Sequence, residues 1–394
     1  MDVITTLRDA HAGSSGRKAA ALAVLLREGL PVPDGFVVGF AAHRTVRSES
    51  GMPVVRGLRE ALSRHLGLLG DPPVAVRSSA AREDTAGGSA AGRYETVLGV
   101  RGEQDVAEAV RVCWASASST LATDYWSHAN GEAADGETDM AVLVQRLIDA
   151  DVSGVMFTPV RPGDSTRIEA SWGLGPSVVG GVVTPDTFEV ASDRGVRRII
   201  SRKTTRMDRG DLGVAVRDVP AGQQTLPTLD DATARTLADL GDRIAILLER
   251  PQDIEWAIAD GKVWILQARP ITAALPPVSP TVPADGIESL IGRPGSRGTA
   301  TGIARVLHGP SGFPRVQPGD IVVCSGTDPA WTPLFRIAAA VVTEKGGVLS
   351  HAAIVAREYG IPAVLGITHA TTRIQDGTRI TVNGSDGTVT SVMG

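Results

Sequence analysis

The stretch Glu344-Lys-Gly-Gly-Val-Leu-Ser-His-Ala-Ala-Ile-Val-Ala-Arg-Glu-Tyr-Gly-Ile-Pro-Ala-Val364 decides how this chain is read, and His351 lies at its centre. Ser350 is a candidate N-cap, Gly360 a candidate stop, and Pro362 cannot continue a helix. The spacing therefore predicts a glycine turn followed by a helix with His351 in its first turn. A helix N-terminus offers unpaired N–H groups and positive potential, and Gly346 and Gly347 let backbone approach an anion. A neutral imidazole in that setting can attack phosphorus and then carry a phosphoryl group. The competing reading is a capped helix whose histidine is structural.

The run resembles the phosphohistidine domain of the dikinase superfamily, which includes phosphoenolpyruvate synthase, pyruvate phosphate dikinase and rifampin phosphotransferase. Thr343, Glu344, Gly346, Gly347, Leu349, Ser350, His351 and Ala352 through Val364 follow that family's pattern nearly unbroken. Upstream the resemblance continues in Gly292 to Gly302, Pro318 to Val323 and Thr327 to Pro333. Downstream it reaches Val382 to Ser385, where Asn383 stands in place of the family's usual Asp.

At 394 residues the expectation is two or three domains, each able to bury a core. A formal net charge of −5 argues against nucleic acid or an anionic membrane as the main partner. Cys113 and Cys324 lie far apart without metal-ligand spacing and read as buried thiols. No stretch of 18 apolar residues and no secretory leader is evident, so a cytoplasmic location is expected.

Residues 273–285, Ala-Ala-Leu-Pro-Pro-Val-Ser-Pro-Thr-Val-Pro-Ala-Asp, contain four prolines in thirteen positions and read as an extended connector. At roughly 3 Å per residue it spans about 40 Å. It is either a swivel for the histidine-bearing part or an ordinary surface loop. The expected division is residues 1–272, a linker at 273–290, and residues 291–394.

No G-x-x-x-x-G-K-[ST] occurs, which excludes a P-loop. The stretch Gly16–Phe36 begins helical, and Lys18 near its start reaches a phosphate or is simply a solvated lysine. Val74–Asp84 reads as a short strand running into a polar turn, and Thr85–Gly92 is a small-residue loop suited to cradling phosphates. Pro251–Thr272 reads as a β-hairpin with its turn at Asp260-Gly261, on which Glu255 and Gln267 face one another with Arg269 nearby. Such a pair suits Mg2+, although a salt-bridged surface hairpin has the same pattern.

The family resemblance extends through this N-terminal part. Arg77-Ser-Ser79, Glu83-Asp84, Ser89, Gly92, Glu95-Thr96, Val144-Gln145, Ser153–Thr158, Gly173-Leu-Gly175 and Thr184-Pro-Asp186 resemble the family's nucleotide-binding region. Asp253-Ile-Glu-Trp256 and Leu266–Thr272 resemble its closing hairpin. Ala21, Ala90 and Pro176 depart from a frequent Asn, Phe and Glu; Pro176 removes a carboxylate near the expected site. The fold so implied is α+β or α/β, an ATP-grasp nucleotide-binding domain followed by a swivelling phosphohistidine domain. It implies ATP contacts from Lys18, Arg77, Ser89, Gln145, Glu255, Gln267 and Arg269, with Mg2+ on Glu255 and Gln267. It implies phosphorylation of His351 by the β-phosphate of ATP, with release of AMP and phosphate.

Three functions fit. The chain is a phosphotransferase acting on a small hydroxylated acceptor, a phosphohistidine carrier serving a separate acceptor protein, or a nucleotide-responsive module without turnover.

Overall fold

The computed structural model describes residues 3–48, 52–81, 95–117, 139–211, 213–272, 275 and 289–391. Glu83, Asp84, Ser89, the loop Thr85–Gly92 and, apart from Leu275, residues 273–288 of the connector lie outside the described residues. Ser289 and Leu290, read above as the connector's end, instead begin a strand of the C-terminal sheet.

Three main sheets organise the molecule. The first contains β1 (Ile4–Thr6), β2 (Gly35–Val38), β3 (Val74–Ala80), β4 (Thr96–Val100) and β5 (Met140–Arg146) in the order β1-β2-β5-β3-β4. The second contains β6 (Val152–Phe157), β7 (Thr166–Trp172), β8 (Asp186–Val190) and β9 (Val196–Ile199). A separate hairpin, β10 (Thr205–Arg209) and β11 (Val214–Asp218), follows, and β12 (Gln252–Ala259) and β13 (Lys262–Pro270) complete the second sheet as β13-β12-β6-β7-β8-β9. Apolar residues on alternate positions of the first sheet serve two cores. Val37 and Leu143 face a core shared with the helix Ala12–Arg27 and with Met156, Phe188 and Trp256 of the second sheet. Phe36, Val38, Val76 and Val144 face the opposite core, against Leu62, Val106 and Val110 of the covering helices. This is the two-sided burial that period-two alternation permits.

The helix Ala12–Arg27 is broken at Gly16, whose φ is +78°. A Cβ there would lie 2.1 Å from the carbonyl oxygen of Ser79, so glycine allows β3 to touch this turn. Lys18 thus starts the second helical segment.

The third sheet has β14 (Ser289–Ile291), β15 (Arg293–Ser296), β16 (Thr299–Leu307), β17 (Ile321–Cys324), β18 (Ala340–Thr343), β19 (Ala363–Leu365), β20 (Arg379–Asn383) and β21 (Thr388–Ser391) in the order β14-β21-β20-β16-β17-β18-β19-β15. β16 to β19 run parallel, and β17, β18 and β19 are buried throughout. Strands covered on both faces read as continuous apolar runs for this reason. Cys324 is buried here and Cys113 under the first sheet; neither forms a disulfide, and burial lifts the pKa of the Cys324 thiol to about 12.

Asn383 has a clear local reason. Its amide nitrogen donates to Asp386 and its oxygen accepts from the N–H groups of Ser385 and Asp386. An aspartate at this position would set two carboxylates against each other.

Candidate active site

The hairpin forms as its sequence dictates. Asp260 and Gly261 both have positive φ, as a two-residue turn joining tightly twisted strands requires. Pairing runs from this turn to Trp256 and Ile265, and a bulge between Glu255 and Trp256 then shifts the register by one, so that Glu255 faces Gln267 and Asp253 faces Arg269. Asp253 holds Arg269 in a buried ion pair of 2.7 Å. The carboxylate of Glu255 takes a different partner, Arg77, which reaches it from β3 of the first sheet. Arg77 also donates to the carbonyl of Leu266, so one guanidinium ties the two sheets together.

Burial pushes the Glu255 pKa up, but Arg77, Arg269 and Lys18 pull it down further and leave it below its ordinary value. Lys18 is itself buried and donates to the carbonyl of Ser78 at 3.0 Å. Gln145 is buried on β5 and donates to the carbonyl of Pro33.

The predicted histidine helix spans His351–Tyr359, with Ser350 at its N-cap and Gly360 in the left-handed conformation at its end. The Ser350 hydroxyl makes no capping bond; it donates back to the carbonyl of Gly347. His351 is 4% exposed, and its Nδ1 lies 3.1 Å from the Thr327 hydroxyl.

A cavity of about 830 Å³ unites these parts. Lys18, Arg77, Gln145, Glu255, Gln267 and Arg269 line it, and so does His351. Its apolar wall includes Leu98, Ile148, Leu174 and Leu266, a surface suited to a flat heteroaromatic ring. Pro176 lies on the wall too, at the first position of the helix Pro176–Val179, so the departure from the family's Glu does fall on the site. Glu255 and Gln267 supply two hard oxygen donors beside a cation-rich wall, which fits a divalent ion completed by phosphate oxygens and water. Among the described residues no group of three or more His, Cys, Asp or Glu side chains is placed to hold a metal alone.

The glycine turn ahead of His351 has an unforeseen occupant. Glu169 on β7 is fully buried, and its carboxylate accepts from the N–H groups of Val348 at 2.7 Å and Leu349 at 3.1 Å. A Cβ on Gly347 would lie 2.2 Å from both Glu169 oxygens, so glycine is required for the approach. The anion at this loop is therefore a side chain of the protein. Burial raises the Glu169 pKa, and Arg293, the two amides and Arg167 offset this only in part. Arg293 reaches across as well, donating to the hydroxyls of Thr187 and Ser201. Val348 and Leu349 add an apolar contact with Val155, Phe157, Val178 and Val183. The available signal for Glu169 is an acidic residue set between the apolar Ile168 and Ala170.

Asp186 of the Thr184-Pro-Asp motif does other work. It forms a fully buried ion pair with Lys203 and accepts from Ser201 and Thr228, which fixes the fold beneath this contact.

Residues 48–280 match the family described as "Pyruvate phosphate dikinase, AMP/ATP-binding domain". The chain belongs to this family, within the dikinase superfamily. Residues 316–387 match "PEP-utilising enzyme, mobile domain". The "Probable phosphoenolpyruvate synthase" of Methanothermobacter thermautotrophicus is 35% identical over 424 residues, covering 96% of this chain and 61% of the relative. The phosphoenolpyruvate synthase of Aeropyrum pernix is 36% identical over 460 residues, covering 95% and 56%. That of Escherichia coli K12 is 37% identical over 335 residues, covering 79% and 42%. The chain thus spans 42% to 61% of the length of these relatives. No described helix is long and apolar enough to cross a membrane.

Proposed function

We propose that this chain is a dikinase-type phosphotransferase of ATP-grasp architecture that moves the β-phosphate of ATP onto His351 and from there to a small hydroxylated acceptor, releasing AMP and phosphate. The observation that carries this reading is the shared cavity, on which His351 opens together with three cations, Lys18, Arg77 and Arg269. The adenine ring rests on the apolar wall and the phosphates extend toward the cations. Nδ1 of His351 lies 3.1 Å from the Thr327 hydroxyl, and in the tautomer that donates Nδ1–H to this oxygen the Nε2 lone pair is the nucleophile. Nε2 bonds to the β-phosphorus as the bond to the α–β bridging oxygen breaks, AMP leaves with that electron pair, and the histidine carries the β,γ-diphosphoryl group. Water then attacks the γ-phosphorus, the β–γ bridge breaks, phosphate leaves and the β-phosphoryl group stays on Nε2. Positioning and electrostatics supply most of the acceleration in such a step. Mg2+, held by Glu255 and Gln267, would neutralise charge on the phosphate oxygens. The Glu169 contact holds the loop ahead of His351 against the nucleotide side during loading. The C-terminal unit, from Ser289 onward, then swings away on the connector to meet the acceptor.

The test is incubation with β-labelled ATP. Label is expected on the native protein and absent from His351→Ala, while calorimetry finds ATP binding retained; label persisting in that variant refutes the nucleophile. A metabolite screen for AMP release that depends on an added acceptor then identifies the substrate class.

A further inference from the structure

Arg77 and Glu255 come from different sheets and meet on the wall of the cavity. Each is the partner of the other, and each is wanted by a different ligand. Resting on the nucleotide site proposed above, we infer that this ion pair makes the triphosphate and the divalent metal bind as a unit, each ligand alone being disfavoured.

The charges give the reason. A triphosphate arriving without metal must draw Arg77 away from Glu255. That leaves a carboxylate facing phosphate oxygens, with only Lys18 and Arg269 beside it, already engaged with the Ser78 carbonyl and Asp253. A metal ion arriving without nucleotide must draw Glu255 away from Arg77. That leaves a guanidinium, with Arg269 and Lys18 on the same wall, facing a dication. Arg269 cannot absorb the loss, because Asp253 holds it in a separate buried pair. When both ligands arrive, the two ends exchange partners together: Arg77 goes to phosphate, Glu255 goes to metal, and no charge is left unmatched. The exchange also releases a bond between the two sheets, although Arg77 keeps the Leu266 carbonyl within reach.

An ordinary metal–nucleotide site loses affinity whenever one of its residues is removed. Here two substitutions should gain it. Glu255→Gln removes the stranded carboxylate, and ATP in the presence of EDTA should bind this variant at least about fivefold more tightly than native protein. Arg77→Gln releases the carboxylate, and Mn2+ without nucleotide, followed by paramagnetic resonance of the free ion, should bind at least about fivefold more tightly. On native protein, saturating Mg2+ should tighten ATP by at least about tenfold and leave AMP, which lacks the β and γ groups, nearly unchanged.

Equal native affinity for ATP with and without Mg2+, or weakened binding in both variants, overturns the coupling. Native measurements need no variant to fold. If native protein binds ATP under neither condition, the nucleotide site itself falls, an outcome distinct from loss of coupling.

Discussion

Glu169 and Glu255 stand on strands of one six-stranded sheet, and their carboxylates are held in opposite ways. Glu255 lies at the cavity wall against the Arg77 guanidinium, and the surrounding cations bring its pKa below the ordinary value despite burial. Glu169 is sealed under the histidine loop; burial dominates and its pKa is raised. Arg293, the two backbone amides that its oxygens accept from, and Arg167 offset that burial only in part. The balance between burial and nearby counter-charge thus sets the direction of each shift in a low-dielectric interior.

The sharpest way to break the comparison is Glu169→Ala. It leaves the amides of Val348 and Leu349 facing an apolar cluster and opens a cavity. The expected loss is about 3 kcal/mol, measured by urea unfolding, with Glu169→Gln losing about 1 kcal/mol because one oxygen still accepts. His351 labelling should slow in the Ala variant while ATP affinity holds. An unchanged unfolding curve would show that the amides find water instead.

Acidity sharpens the comparison, since the two groups carry opposite signs. The folded pKa of Glu169 is raised, so its contribution is full below the ordinary value of 4.5 and is lost as pH rises through the folded pKa. The folded pKa of Glu255 is lowered, so its contribution is present above 4.5 and is lost as pH falls through the folded pKa. The stability difference between native protein and Glu169→Gln should therefore shrink as pH rises above 4.5. The difference for Glu255→Gln should shrink as pH falls below it. Urea unfolding from pH 3 to pH 8 reads both trends, and parallel trends would contradict the assignment of counter-charges.

The smallest effect is expected at Asn383→Asp. A carboxylate there faces Asp386 instead of donating to it, at a partly exposed turn where water moderates repulsion. A loss of about 0.5 kcal/mol in unfolding free energy is expected, diminishing with added salt.

Much of the candidate site was legible because its determinants are local. The hairpin follows from alternation and an Asp-Gly turn, whereas the facing of Glu255 and Gln267 depends on the bulge between Glu255 and Trp256, since counting from the turn alone sets Glu255 opposite Leu266. The histidine helix follows from its cap position, its glycine stop and the proline beyond. The hydroxyl of Ser350 escaped the reading, since its choice of Gly347 over a capping bond depends on how the glycine loop is held. Glu169 and Arg293 escaped it too. Their partners lie 179 residues away for the Glu169–Val348 bond and 106 for the Arg293–Thr187 bond, beyond any periodic signal.

By itself the sequence determined the helix that carries His351, the hairpin that carries Glu255, Gln267 and Arg269, and the chemistry these side chains can perform. Backbone dihedrals and short-range hydrogen bonds govern those features, and both are encoded within about twenty residues. Only the tertiary structure decided that Arg77 holds Glu255 and that Glu169 fills the glycine loop. Each is a choice of counter-charge or donor inside a desolvated space, and that choice depends on which distant strands the fold brings together.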